Sequence, residues 1–411
     1  MLVKDFQQLL KPKPSSITSI LFLKTKTIVV YSCGIGMSIY VILPGMSDVY
    51  PLLVPADALK EFTAKLKDAD VDPDSELKIK PSTMTEKVTL RVGKIKQTIT
   101  YCAEDITEIK SAAKFKSFGG YSMGYADFIQ SVKAVEPCIV RHSPNPLNHL
   151  LIRGIYKRML PSEFKGLNFV GCDARRISVT SIDQYTPLGS FGQRPEHKEF
   201  PAVLVHCDAL SLFSRFNQET AEHIDVTQDK SGRVKLKRGD VSIISPESTG
   251  TYPSYTKLWK GGTPTVKVKI SPVSSKEIKT YQAMLVSRVE KDDGKRLVVY
   301  ELTKQGVKCT CRAVDMLSSQ SEIVELPMPF KATLDKVRRP MMLRVDSILF
   351  DSLIKGRELD MEIRYETVMG KEQKRRLPFR DYNGQRLLET NCIVLFSGDN
   401  FYAALMPVII R

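Results

Sequence analysis

The sequence contains no apolar run near the ~18–20 residues that a bilayer-crossing helix needs. Its opening, MLVKDFQQLLKPK, has neither the apolar core nor the small-residue cleavage site of a signal peptide. The eight cysteines are scattered rather than patterned, which suits reduced thiols in a cytoplasm and not a disulfide scaffold. A cytoplasmic protein with no membrane partner is therefore expected. The five histidines, His142, His149, His197, His206 and His223, have no ligand spacing. Cys309 and Cys311 in "KCTC" share one face of an expected strand but lack a second pair, so no metal site is expected. No Gly-x-x-x-x-Gly-Lys-Ser/Thr loop occurs, so the chain does not use ATP on its own account. No cofactor and no catalytic residue are expected.

What is present is a chain of 411 residues, 42% hydrophobic and 26% charged, long enough for two or three domains. Its formal net charge is +15, and its sequence pI is near 9.3. Such an excess favours a polyanionic partner, nucleic acid first. The lysines recur singly, as on a folded surface, with no arginine-rich tail or lysine block.

Two near-motifs are set aside. "GYSMG", Gly120 to Gly124, fits the nucleophile elbow Gly-x-Ser-x-Gly, but "SAAKFKSF" before it does not read as the buried strand that motif requires. The reading is a flexible link ahead of a second domain. "DADVDPDSE", Asp68 to Glu76, alternates acids like a calcium loop, yet Pro73 stands where glycine is needed and the twelfth place has no glutamate. It reads as an acidic turn between helix and strand.

A loose unit recurs three times. "LLVPADALKEFTAKL" and "VLVHCDALSLFSRF" share Val-x-x-Asp-Ala-Leu-x-x-Phe, and "MLRVDSILFDSLIKG" repeats it more freely. Asp57, Asp208 and Asp346 are expected to cap these helices. Leu59, Phe62 and Leu66 make an apolar face, and Lys60 and Lys67 lie away from it. An alternating strand follows each helix: "ELKIK", "HIDVTQ" and "LDMEIRY". A first helix precedes each unit, at "VKDFQQLLK", "YADFIQSVKAV" and "SSKEIKTYQAML". Breaks at "SAAKFKSFGGYSMG" and "WKGGTPT" divide the chain into three tandem α+β domains, 1–120, 121–260 and 261–411.

Phe169 to Val179, "FVGCDARRISV", places two arginines directly after a tight turn between two strands. It is similar to the segment Val-Ala-Thr-Asp-Gly-His-Arg-Leu-Ala of bacterial DNA polymerase III beta subunits, the sliding clamps. "GTYPSYTKL" resembles that family's Gly-x-Phe-Pro-Asp-Tyr, and "YAALMPVIIR" resembles its ending around Met-Pro-Met-Arg-Leu. Gly171, Asp173, Arg176, Pro253, Tyr255, Met406 and Pro407 keep the family residue. Cys172, Ala174, Arg175 and Ile177 replace Thr, Gly, His and Leu, and Ile409 stands where arginine is usual. These departures mark a distant member, of a kind that a phage or plasmid encodes.

The resemblance implies three clamp-type domains, each with two helices on an antiparallel sheet, and two chains closing head to tail as a ring around duplex DNA. It implies a non-enzymatic processivity factor whose partners are double-stranded DNA, a replicative DNA polymerase, a clamp loader and a second copy of itself. A ring that slides must attract phosphates without reading bases. The implied DNA-facing residues are Lys4, Lys11, Lys13, Lys60, Lys67, Lys133, Arg215, Lys276, Lys279 and Lys355. The implied groove for partner peptides comprises Ile152, Cys172, Ala174, Arg175, Arg176, Ile177, Pro253, Lys257, Leu258, Ala404, Met406 and Pro407. For Arg176 the alternative is a salt bridge that secures the corner. The ring interface is expected near "VGKIKQTITY", Val92 to Tyr101. The alternative function is a clamp-like nucleic-acid-binding adaptor in transcription or repair.

Overall fold

The structure is a computed structural model. It describes residues 17–34, 37–45, 51–81, 87–100, 103–139, 146–155, 166–173, 175–192, 202–216, 221–248, 250–253 and 341–365, with shorter stretches elsewhere. In chain order the first elements are strands β1 (Ile17–Phe22), β2 (Lys26–Gly34), β3 (Met37–Pro44) and β4 (Leu52–Pro55), then helix α1 (Ala56–Asp68). There follow β5 (Lys78–Pro81), β6 (Lys87–Val92), β7 (Ile95–Thr100), α2 (Ala103–Ala112), β8 (Gly119–Gly124) and α3 (Tyr125–Val135). A 3-10 turn, Glu136–Cys138, leads towards β9 (His149–Ile155), β10 (Gly166–Cys172), β11 (Arg176–Ile182), β12 (Tyr185–Gly189) and β13 (Val203–His206). Next come α4 (Cys207–Phe216), β14 (His223–Gln228), β15 (Val234–Arg238) and β16 (Val241–Ser245). The later strands are β17 (Pro264–Ile270), β18 (Leu297–Leu302), β19 (Lys308–Val314), β20 (Ser321–Pro327), β21 (Ala332–Thr333) and β22 (Met341–Asp346), followed by α5 (Ser347–Ile354). The last are β23 (Leu359–Tyr365), β24 (Thr367–Val368), β25 (Lys371–Glu372), β26 (Leu377–Arg380), β27 (Arg386–Glu389), β28 (Cys392–Gly398) and β29 (Phe401–Leu405).

Two compact units emerge, the first from residues 1–130, 144–156 and 183–250, the second from 131–143, 157–182 and 251–411. In the first, nine strands form one sheet in the order β12-β8-β14-β15-β16-β3-β2-β1-β4, beside a three-stranded sheet β5-β6-β7. Ile28, Val29, Val30 and Tyr31 of β2 are all buried, so this sheet is covered on both faces. On one face lie Ile106, Ile109 and Ala113, at the helical spacing i, i+3 and i+7, against Leu21, Ile28, Val30 and Leu53. Helix α1 packs on β1 and β4 and buries Phe62 and Leu66. Phe128 of α3 and Phe213 of α4 meet edge to face at 6.1 Å. In the second unit, β10-β11-β29-β28-β23-β17-β21 are hydrogen-bonded neighbours, and β20-β19-β18-β22-β27-β26 form another sheet. Phe350 of α5 is buried 5.7 Å from the ring of Phe396 on β28.

The valine-led helices and their following strands stand where the sequence placed them, and residues 69–77 form the acidic turn, with Asp74 amide donating to Asp72 Oδ1. Of the first-helix segments, "YADFIQSVKAV" is α3, and Val3, Gln7, Ser275, Lys276, Lys279 and Thr280 are helical. Three readings need correction. Asp57 and Asp208 lie one residue inside their helices: Pro55 occupies the N-cap of α1 with no side-chain cap, and His206 Nδ1 accepts the Asp208 amide at 3.2 Å. Asp346 is the last residue of β22, directly before α5. "GYSMG" is not a link, because it forms β8, paired on both sides with β12 and β14. Its glycines serve close packing: a side chain at Gly119 would strike the Phe191 ring, and one at Gly120 the Val226 carbonyl. Ser122 lies within the ladder, between Thr186 and Asp225, and its Oγ donates to Asp225 Oδ1 at 2.7 Å. Finally, α2 has no counterpart in the sequence reading, and its last two residues fall in the stretch read as a break.

Among the described residues no helix is long and apolar enough to cross a membrane.

Candidate partner-binding corner and basic helix faces

The strands β10 and β11 pair from Leu167↔Ile182 to Cys172↔Ile177, and the tip holds the acid and the two arginines. Asp173 closes that tip. Its amide donates to the Arg176 carbonyl at 3.1 Å, while Oδ1 accepts the amides of Arg175 and Arg176 at 3.0 and 2.8 Å. Its Oδ2 accepts Arg176 Nε at 2.7 Å. This is an Asx-type turn with the carboxylate held on its far side by a guanidinium. Arg176 Nη1 donates to Ser352 Oγ and to the Leu349 carbonyl of α5, and Nη2 donates to the Pro137 carbonyl of the 3-10 turn. The Arg176 and Asp173 side chains are only 9% and 6% exposed. One arginine thus ties a hairpin tip, a helix and a turn together.

The neighbourhood is tightly packed. Cys172 and Ile177 are buried, and a side chain at Gly171 would strike the Val135 carbonyl. Tyr252 donates its hydroxyl to the Val170 carbonyl at 3.0 Å, and burial pushes that phenol well above its ordinary range. Burial likewise pushes the Cys138 thiol up to about 11 despite the Arg176 charge, so it stays protonated at neutral pH. On its other side β11 pairs with β29, with Arg176 opposite Leu405 and Ile177 opposite Ala404. The corner therefore lies beside the last strand, and Ala404 is buried there.

Of the expected groove residues, Arg175 and Pro253 are exposed, Arg176 is engaged within the chain, and Cys172, Ile177 and Ala404 are buried. Ile152 is buried on β9 in the first unit, where Val203 of β13 pairs with it. Ala174, Lys257, Leu258, Met406 and Pro407 lie outside the described residues. Of the expected DNA-facing residues, Lys60 and Lys67 on α1, Lys133 on α3, Arg215 on α4, and Lys276, Lys279 and Lys355 are all exposed. Lys4, Lys11 and Lys13 lie outside the described residues. Burial raises the Asp351 carboxyl of α5 to about 6, an effect that the charge of Lys279 partly offsets. No group of three His, Cys, Asp or Glu among the described residues is placed to hold a metal ion.

Sequence reading missed a second corner of the same construction, between β14 and β15. Asp229 Oδ1 accepts the amides of Ser231 and Arg233, both at 3.0 Å, and the Ser231 hydroxyl at 2.7 Å. Oδ2 accepts Arg233 Nε at 2.8 Å. Arg233 then donates to the carbonyls of Ala112 and Lys114, at 2.7 and 2.8 Å, where α2 ends. Gly232 sits at φ 94°, a backbone conformation that favours glycine. The signal available was an aspartate leaving one strand and an arginine entering the next, with a glycine between.

Solved structures similar to this one include bacterial DNA polymerase III beta subunits. A putative DNA polymerase III beta subunit from Eubacterium rectale matches at a TM-score of 0.67 and 12% identity, over 100% of this chain and 99% of that one. The DNA polymerase III subunit beta from Pseudomonas aeruginosa matches at 0.67 and 12%, over 99% and 97%. The chain has the sliding-clamp fold. A Helicobacter pylori beta clamp, solved bound to a DNA ligase peptide, also has this fold at a TM-score of 0.64 and 12% identity, over 99% of this chain and 97% of that one. No protein-family model and no curated protein matches the sequence. The clamp likeness is thus one of fold, and it extends from end to end of both chains.

Proposed function

We propose that this chain is a DNA sliding clamp, a non-catalytic processivity factor that encircles duplex DNA and tethers a replicative polymerase. The observation that carries this reading is the end-to-end match to beta clamps. The exposed cations on α1, α3 and α4 and at Lys276, Lys279 and Lys355 support it, because mobile binding to phosphates needs charge and no base contacts. In this reading the chain divides into three domains, 1–120, 121–260 and 261–411. Two copies close head to tail, so that a loader must open the ring. Strand β7 is an edge of its three-stranded sheet and is the candidate for that closure. The corner at Asp173 flanks the peptide groove; the Helicobacter pylori beta clamp, of the same fold, was solved bound to a DNA ligase peptide. Within the corner, Arg175 is the exposed cation, and Arg176 holds the frame.

The test is topological. The protein should remain on nicked circular DNA at salt that removes ordinary DNA binders, and it should leave once the circle is cut. Equal release from circle and linear DNA would defeat the proposal. Reversing the charges of Lys60, Lys67, Lys276 and Lys279 together should weaken duplex association without changing the melting temperature.

A further inference from the structure

On one face of the nine-stranded sheet, α2 covers the strands only part of the way. Past its end the chain runs without regular structure from Lys114 to Phe118 before entering β8. A cavity of about 1020 Å³ opens there, between this segment, the β14–β15 turn and the sheet surface. Ile42 of β3 and Ser242 of β16, which pair with each other, belong to its sheet side. Lys26, Lys114, Lys116, Lys230 and Lys235 line it. Asp229, its one acid, is already engaged by Arg233. Phe115 lies under two of the cations, with Lys235 Nζ 5.8 Å and Arg233 Cζ 6.0 Å from the ring centroid. Phe118, also in the lining, is 44% exposed and is the one large hydrophobic side chain left open among the described residues. Burial, then the charges of Lys237 and Lys26, hold the Lys235 ammonium below its ordinary value. Like charges are thus crowded in a concave site with no free acid to balance them.

We propose that this cavity binds an acidic linear peptide of a partner protein, with carboxylates on the lysine rim and an apolar side chain against Phe118. Charge complementarity selects an anion. The aromatic pair and Ile42 select one that carries apolar side chains, which the phosphate surface of a duplex does not present. The site is separate from the Asp173 corner and does not depend on the chain acting as a clamp.

The experiment uses the full chain and a fluorescein-labelled peptide, Glu-Asp-Leu-Phe-Asp-Glu, followed by anisotropy. Binding is expected at about 50 mM salt and should weaken about tenfold by about 300 mM. A Lys114→Glu/Lys116→Glu variant and a Phe118→Ser variant should each lose about tenfold in affinity, the first by charge and the second by contact. Lys87→Glu, on β6, should bind as the parent does. All these positions are exposed, and an unchanged melting temperature will verify the fold. The proposal is overturned by no binding, by equal binding of the peptide with lysines in place of its acids, or by parental affinity in both cavity variants. It is equally overturned if a dodecameric oligothymidylate displaces the probe at lower concentration than the unlabelled peptide, since the site would then be one for nucleic acid.

Discussion

The two Asp–Arg corners use the same bonds in different surroundings. At each, an aspartate takes two backbone amides on one oxygen and an arginine Nε on the other, and the arginine's remaining nitrogens reach backbone carbonyls of helices or turns. Arg176 is 9% exposed, but Arg233 is 30% exposed, with Phe115 beside its guanidinium. Asp173 is joined by two neighbouring arginines and no glycine, whereas the Asp229 turn carries Gly232 and gains a serine hydroxyl. Burial raises the Asp229 carboxyl, yet the bonds from Ser231 and Arg233 and the charge of Arg233 outweigh it and hold the group below the usual carboxylate range. The difference teaches that one hydrogen-bonding pattern can be a deep clasp in one place and a wall of an open cavity in another. What separates them is how far water reaches the guanidinium.

The comparison can be broken by mutation. Asp173→Ala should have the largest effect, because it leaves a nearly buried guanidinium without its carboxylate. A loss of about 3–5 kcal/mol is expected, read as a lower melting temperature of the transition that includes α5. A loss under about 1 kcal/mol would mean that the carbonyls of Leu349 and Pro137 suffice to satisfy Arg176. Asp229→Ala should cost less, about 1–2 kcal/mol, since the more exposed Arg233 can recruit water in place of the acid. Equal penalties at the two corners would show that burial does not set their strength.

The smallest effect should appear with pH. Asp229 has a lowered pKa in the folded chain, so its contribution to stability is present above the unfolded value of about 3.9. That contribution is lost as pH falls through the lower folded value. The stability difference between the parent and Asp229→Asn should therefore be constant near neutrality and close in acid. A difference that persists in strong acid would assign the corner's strength to the shape of the turn and not to the charge of the acid.

The sequence made the first corner legible and hid the second, for physical reasons. "FVGCDARRISV" stands between two strongly apolar strands and resembles a known segment. "TQDKSGRVKLK" is bounded by strands whose outward positions are His223, Asp225 and Thr227 on one side and Lys235 and Lys237 on the other, so its turn reads as an ordinary polar loop. The valine-led helices were readable because Phe62, Leu66 and Phe213 repeat at helical spacing on buried faces. Helix α2 offers Ile106 and Ile109, with Ala113 just past its end, too narrow an apolar stripe to stand out before the chain breaks. In "GYSMG", glycine as a loop former competes with glycine as the residue that lets strand and ring approach, and only the packing of Phe191 and Val226 decides. The exposure of Lys60 and Lys67 follows from the same periodicity that buries Phe62. The engagement of Arg176 by α5 joins residues far apart in sequence, which no local pattern encodes.

The unbroken sheet of the first unit has a mechanical meaning. Strands from residues 17–55 and from 119–245 meet where β3 pairs with β16 through Ile42, Val41 and Tyr40. Nine strands about 4.8 Å apart make a plate roughly 38 Å wide. A load pulling those two stretches of chain apart meets no hinge at that seam. It must either shear a hydrogen-bonded ladder whose flanking Val41 and Ile243 are out of water, or be passed on intact to some other part of the molecule. This unit is therefore built to transmit strain and not to absorb it.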